Sequence, residues 1–292
     1  MLNFQSAVLA PVPLFASSLI FEVSNEVKPA EALDRLSNLV ADDGVVIGLG
    51  QRFVATLGVS VLGHRTAPVV TRADISIPAN AEALWCLCSG ASREETDQRV
   101  ATILAALDGV FDLVSSLDLF FFDGGRDLTG YMDGTENPVD NDAVVAAIVR
   151  DHGPGMDGST FVAVQKWVHD LTLFTSFGAV DCDNIFGRTI EGDIEIEDAP
   201  PSAHVKRTAQ EDFDPEAFVV RRSMPWRDTN QEGLLFIAYG KSFDAFEALL
   251  NRMVGLDDGI VDGLFRFTEP VSSAYFWCPP TSGGRIDFGA LS

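Results

Sequence analysis

Positive charge is scarce in this chain. Its 292 residues carry 20 Lys and Arg against 43 Asp and Glu, a net charge of −23. A surface with that balance repels nucleic acid and anionic membranes, so neither is expected as a partner. Cysteine is scarce as well. Cys86, Cys88, Cys182 and Cys278 contain no CxxC pair, which argues against a disulfide scaffold and suits reduced thiols in a core. The four histidines, His64, His152, His169 and His204, show no zinc-site spacing. No stretch reaches the roughly 18 continuous apolar residues of a membrane helix. The apolar opening, residues 7–21, lacks a basic flank and contains Pro11 and Pro13, so no signal peptide is expected there and a cytoplasmic protein is.

What is present points to a well-packed fold. Apolar residues make up 47% of the chain and Phe alone numbers 21, enough for a sizeable core and too many for disorder. The length suits two domains better than one. Residues 17–23, 44–49, 83–88, 118–122, 159–164 and 234–239 read as strands, with a final strand ending over 275–278. Residues 28–40, 92–107 and 242–254 have the spacing of amphipathic helices, the second with Ser92 as N-cap, and 171–177 is either helical or extended. Two segments share one plan. LWCLCSGASREETDQRVATILAALDG (84–109) and LLFIAYGKSFDAFEALLNRMVGLDDG (234–259) each run from a buried strand through a Gly to a helix and a closing Asp-Gly. Such a repeat implies a duplicated α+β unit, with antiparallel sheets covered by helices. The Gly- and Asp-rich stretch 150–158, with Pro154, reads as a linker or surface loop and as the boundary that divides the chain into 1–150 and 151–292.

The chemistry concentrates in two places. The first is GYMDGTENP, residues 130–138. Turn-formers surround one carboxylate there, so Asp133 is expected on a rigid, tightly folded loop; taken alone, the Asp-Gly pair could equally be only a turn. The second is the polar stretch 181–227, where Arg188, His204, Arg221 and Arg222 lie among several of the chain's few basic residues. A local positive pocket for carboxylate or phosphate is expected there.

Four of these elements occur in an order that resembles the dye-decolorising peroxidase family, and specifically its shorter bacterial members. GYMDGTENP looks like the family's Gly-x-x-Asp-Gly signature. FGRTIEGDIEIED (186–198) resembles its loop for a haem-propionate-binding Arg, and SAHVKR (202–207) its proximal-His segment. VVRRSMP (219–225) resembles the segment carrying its distal Arg, and FRFTEPVSSAYFWCP (265–279) its closing strand. The resemblance implies two ferredoxin-like halves with haem b, iron protoporphyrin IX, in the C-terminal half. It implies His204 as axial ligand of the iron, with Asp262 as the carboxylate behind it, although Asp262 could simply close a turn with Gly263. Asp133 would shuttle protons and Arg221 would supply a fixed positive charge. Arg188 would clamp a propionate and Ser223 would bond water near the iron. Leu234 and Phe236 would wall the site or belong to the ordinary core. Arg222, on the opposite face from Arg221, is expected in a surface salt bridge. The implied activity is reduction of hydrogen peroxide with oxidation of small organic donors such as dyes and phenolics, through a high-valent iron, in a homo-oligomer. Haem handling with incidental peroxidase activity, and a haem-free dimer domain, are the competing readings.

Overall fold

In the computed structural model, residues 3–24, 27–37, 39 and 44–291 are described. The elements run β1 (Phe15–Val23), α1 (Pro29–Ser37), β2 (Val45–Gly50), α2 (Gln51–Thr56), β3 (Val70–Arg72), β4 (Ile75–Ile77), β5 (Leu84–Gly90), α3 (Arg93–Leu107) and β6 (Phe111–Phe120). They continue with α4 (Asp140–Ala147), β7 (Thr160–His169), α5 (Leu171–Ser176), α6 (Ala179–Phe186), α7 (His204–Arg207), β8 (Val220–Arg221), β9 (Met224–Arg227), β10 (Glu232–Gly240), α8 (Asp244–Met253) and β11 (Thr268–Cys278). Val40, placed in the first helix by its spacing, lies outside the described residues.

The strands alternate between two cores, as the two-residue period of a strand requires. In β5, Leu84, Cys86 and Cys88 enter one cluster while Trp85 and Leu87 enter the other. In β11, Tyr275 and Trp277 part from Phe276 and Cys278 in the same way. Pairing explains why both faces are apolar. The order β7-β11-β2-β5-β1-β6-β9-β10 is antiparallel throughout, and β10 returns to β7, so eight strands close into a ring with β8 added on β10. The cluster of Trp85, Phe276, Ile237 and Tyr239 fills the interior of the ring. The other cluster packs the outer faces against α1, α3 and α8.

Strand order also makes the duplication explicit. In the first half the four long strands lie as second, third, first, fourth (β2-β5-β1-β6). In the second half they lie the same way (β9-β10-β7-β11). This is the ferredoxin-like order, and the repeated segments 84–109 and 234–259 are the matching β5-α3 and β10-α8 units. Local chemistry sets the helix starts. Ser92 Oγ accepts from Glu95 N at 3.2 Å and Glu95 Oε2 accepts from Ala91 N at 2.8 Å, a reciprocal cap on α3.

Several sequence expectations change. β6 begins at Phe111 and stops before Phe121, earlier than the apolar run suggests. Residues 112–116 are exposed, so no apolar alternation marks the start of that strand. The 150–158 stretch is a surface loop anchored to the fold: Asp151, His152 and Pro154 are exposed, Met156 is buried, and Val149 exchanges main-chain bonds with Ser159 and Gly158. The polar stretch 181–227 is itself structured: it holds most of α6, all of α7 and β8, and β9, which pairs with both β6 and β10.

Candidate active site

The Asp133 loop is rigid because nearly every residue in it is tied down. Gly130 and Gly134 hold φ at +91° and +78°, where a side chain would be strained. A Cβ on Gly130 would meet Ile190, and one on Gly134 would meet the Asn137 side chain. Both glycines therefore serve tight turns packed against protein side chains. Asp133 N donates to Gly125 O at 3.1 Å. Tyr131 OH donates to Asp183, Thr135 Oγ1 donates to Asp193 at 2.7 Å, and Glu136 pairs with Arg188.

The His204 segment arrives from the other half of the chain. Gly187 ends α6 at φ +81°, and its absent Cβ leaves room for Val205 and Ala203. The one-turn helix α7 then carries His204. Its Nδ1 meets Asp262 Oδ2 at 2.7 Å, and Asp262 is 1% exposed. Asp262 Oδ1 also caps the turn that follows, by accepting from Leu264 N at 2.8 Å. Both sequence readings of Asp262 thus hold in one side chain. A buried carboxylate on Nδ1 fixes the proton there and leaves Nε2 as a lone-pair donor.

Asp133, His204, Arg188, Arg221, Leu234 and Phe236 all line one cavity of about 530 Å³. It lies on the outer face of the second half's sheet. Gln165, Trp167 and His169 on β7 and Leu234 and Phe236 on β10 form its floor, and α8 contributes Phe246, Leu249 and Met253. Asp133, Gly134, Arg221 and Leu234 also border a smaller cavity of about 210 Å³. These four therefore form the partition between the two spaces. Ser223 faces only the smaller cavity, where its Oγ accepts from Ile237 N at 3.4 Å. It does not share the main cavity with Arg221.

The electrostatics differ from a simple positive pocket. Arg188 donates to Asp193 O at 2.9 Å and pairs with Glu136 and Glu195. Arg207 is buried in a fork with Asp258, and Arg227 pairs with Glu232. Among the described residues Arg222 makes no surface salt bridge. It donates to the carbonyls of Ala10, Leu9 and Arg221, so its guanidinium ties down the segment before β1. The expected positive region therefore reduces to Arg221, because its other cations are matched by carboxylates or spent on carbonyls. Arg221 Nε is buried without a hydrogen-bond partner among the described residues. Burial pushes the Asp133 carboxyl above its ordinary pKa. Arg221, and then His204, oppose that shift, while Asp127 adds to it.

Sequence reading missed several residues here. Asp127 and His169 line the cavity and face each other at 3.2 Å. Burial raises Asp127, but the bonds from His169 and Thr129 outweigh it and hold the carboxyl below its ordinary value. His169 Nδ1 meets Thr268 Oγ1 at 2.6 Å. Asp127 precedes the motif by only a few residues, and its carboxylate beside Gly124-Gly125 was the available signal. His169 carried none. Of the other histidines, His64 is pushed down to about 3 by burial and is neutral.

The family profile "Dyp-type peroxidase, C-terminal" matches residues 124–283. A dye-decolorizing peroxidase of Mycolicibacterium paratuberculosis is 33% identical over 183 residues, 61% of this chain and 52% of that one. The chain spans about half the length of the curated relatives it matches. The fold is shared with a Dyp-type peroxidase protein from Shewanella oneidensis, with a TM-score of 0.88, 25% identity and coverage of 100% and 98% of the two chains. It is also shared with a Rhodococcus jostii DypB variant solved in complex with heme, with a TM-score of 0.86, 23% identity and coverage of 94% and 96%. The match over residues 124–283 takes in the Asp133 loop, the His204 helix and the Arg221 strand, and with it the chain belongs to the Dyp-type peroxidase family.

Proposed function

We propose that this chain is a haem peroxidase, which reduces hydrogen peroxide and oxidises small organic donors such as dyes and phenolics. The observation that carries the proposal is the meeting, around one cavity, of a carboxylate-backed imidazole, a carboxylate of raised pKa and a guanidinium whose buried Nε has no hydrogen-bond partner among the described residues. Haem b fits those residues. The cavity volume lies within the roughly 300–1,000 Å³ range of cofactor sites, and its walls include Phe236, Phe246 and Leu249. Among the described residues, no group of three or more His, Cys, Asp or Glu side chains could hold a bare metal ion. His204 would serve as a single protein ligand, which suits a metal held in its own macrocycle.

When bound, the haem supplies the redox chemistry of the iron. The chain supplies the rest. His204 Nε2 would hold the iron, and Asp262, by accepting a hydrogen bond from Nδ1–H, would strengthen that donation. Asp133 Oδ would accept a proton from one peroxide oxygen and return it to the leaving oxygen. Arg221 would offer its Nε–H, which has no partner among the described residues, to the negative charge that develops as the O–O bond breaks. Arg188 would receive a propionate in exchange for the exposed Glu136 carboxylate. Leu234 and Phe236 exclude water. We further infer that the chain divides near residue 150 into two ferredoxin-like domains. The same reading makes it a cytoplasmic homo-oligomer without nucleic-acid or membrane partners. No helix among the described residues is long and apolar enough to cross a membrane.

Haemin titration followed by peroxide addition tests the proposal. Wild type should develop a Soret band that shifts with peroxide, and His204→Ala should lose the band or its normal position. Asp133→Asn and Arg221→Leu should keep the band and react with peroxide roughly 10²-fold more slowly in at least one case. Haem handling without turnover requires neither Asp133 nor Arg221. Parental rates in both variants would favour it and sink the peroxidase assignment.

A further inference from the structure

Three segments build the site: the Asp133 loop, the His204 helix with the residues after it, and the strand that carries Arg221. They come from distant parts of the chain, and two side-chain amides lie where they meet. Asn137, four residues after Asp133, accepts from Arg221 N through Oδ1 at 2.8 Å and donates to Arg221 O through Nδ2 at 3.1 Å. Gln210, six residues after His204, donates to Glu136 O through Nε2 at 3.0 Å and accepts from Val219 N through Oε1 at 2.8 Å. Its own carbonyl accepts from Ala217 N at 2.9 Å. The orientation of both amides is forced, because a backbone N–H can only donate and a carbonyl can only accept. Gln210 is 4% exposed, so these bonds are made away from water.

We propose that Asn137 and Gln210 are positioning residues that set the distance between Asp133 and Arg221. Together they imitate a β-ladder. Val219, just before β8, and Arg221 within it both line the main cavity, and each has its amide taken by one of the two side chains. Glu136 and Asn137 are neighbours on the loop. The loop is therefore stitched to alternate residues of the strand, and Gln210 fastens both to the segment that carries the axial-ligand candidate. Without the stitch, the loop could shift against the strand while every other bond in it survived. The proton acceptor and the fixed charge would then part. The inference rests on the roles given above to Asp133 and Arg221, but the stitch itself is testable without them.

The test compares wild type with Asn137→Ala, Gln210→Ala and the near-isosteric Asn137→Asp and Gln210→Glu. The acids keep the acceptor for the strand N–H but set an oxygen against a carbonyl. The first readout is hydrogen exchange of the amides of Val219 and Arg221 in the protein without haem. Exchange there should rise at least ten-fold in each Ala variant, and less in the acids, with the strands of the ring still protected. The second readout is the pH profile of the reaction of haem-loaded protein with hydrogen peroxide. The groups acting on Asp133 are Arg221, Asp127 and His204. If Arg221 withdraws, the acid limb should move to higher pH, with the rate at pH 7 down roughly ten-fold and haem uptake unchanged. Unaltered exchange at 219 and 221 in both Ala variants would overturn the stitch. Faster exchange with an unmoved acid limb and rate would overturn its role in positioning. A wild-type protein inert toward peroxide would instead defeat the functional reading, and the exchange result would stand apart from it. Should an Ala variant fail to fold, the acid at the same position decides by the same two readouts.

Discussion

Asp133 carries the largest consequence of any single side chain. Its carboxyl is pushed up by burial, and only partly restrained by Arg221 and His204. An acid whose folded pKa is raised is favoured by the fold in its protonated form. That contribution is complete below the unfolded value and is lost as pH rises through the folded value. At pH 7 the ionised group therefore opposes folding. Asp133→Asn should raise the melting temperature of haem-free protein at pH 7 by roughly 2 °C, and the gain should vanish near pH 4. In the catalytic role proposed for Asp133 the sign reverses, because a proton acceptor must be ionised. Peroxidase activity should fall along an acid limb that lies above the ordinary value of 3.8, and Asp133→Asn should abolish that limb. A wild-type limb at or below the ordinary value would contradict the raised pKa. Much of this was readable beforehand. Asp133, His204 and Arg221 stand in motifs with fixed order, and motif order survives any fold. Asn137, Gln210 and His169 were not readable, because a side-chain amide or imidazole shows its purpose only once its partners from other segments are beside it.

At the level of elements, the join between α6 and α7 is the narrowest point. Gly187 closes α6 in a left-handed conformation, and a Cβ there would sit 2.4 Å from Val205 Cγ1 and 3.0 Å from Ala203 Cβ. Gly187→Ala faces both penalties, backbone strain and a clash with the helix bearing His204. It should cost about 2–4 kcal/mol of stability and weaken haem binding, measured by denaturant unfolding and haemin titration. A loss below about 1 kcal/mol would mean that α7 gives way easily. Sequence showed the long helices well, since 92–107 and 242–254 match α3 and α8 nearly to the residue. Short elements were missed. A one-turn helix such as α7 has no period to detect, and β6 presents solvent where a buried strand would alternate.

Over the whole molecule, the ring of strands is closed by two thin seams. β11 meets β2 at two residue pairs, and β6 meets β9 at one. Gln5 reinforces the first seam. It accepts from Ile47 N at 2.7 Å and donates to Ile47 O at 2.9 Å and Pro279 O at 3.0 Å, while 3% exposed. Gln5→Ala should cost about 2–3 kcal/mol by leaving buried main-chain groups without partners, seen as a lower melting temperature and faster exchange in β2. Retention of the parental melting temperature would show that the seam holds without Gln5. The duplication was legible because the two units repeat a strand-Gly-helix pattern. Ring closure was not, since pairing between distant strands leaves no local trace.

The two seams are equivalent: in each, the fourth strand of one half meets the second strand of the other. The molecule thus has the internal symmetry of a dimer made from a single chain, yet its two copies have not kept the same duties. Between its first and second strands the first half has only residues 24–44, whereas the second half has 170–223, the stretch that holds Arg188, His204, Gln210 and Arg221. Each molecule therefore carries its own control. The first half shows what the shared scaffold amounts to when that connection stays short, and the longer connection of the second half is where most of the candidate site's charged side chains sit.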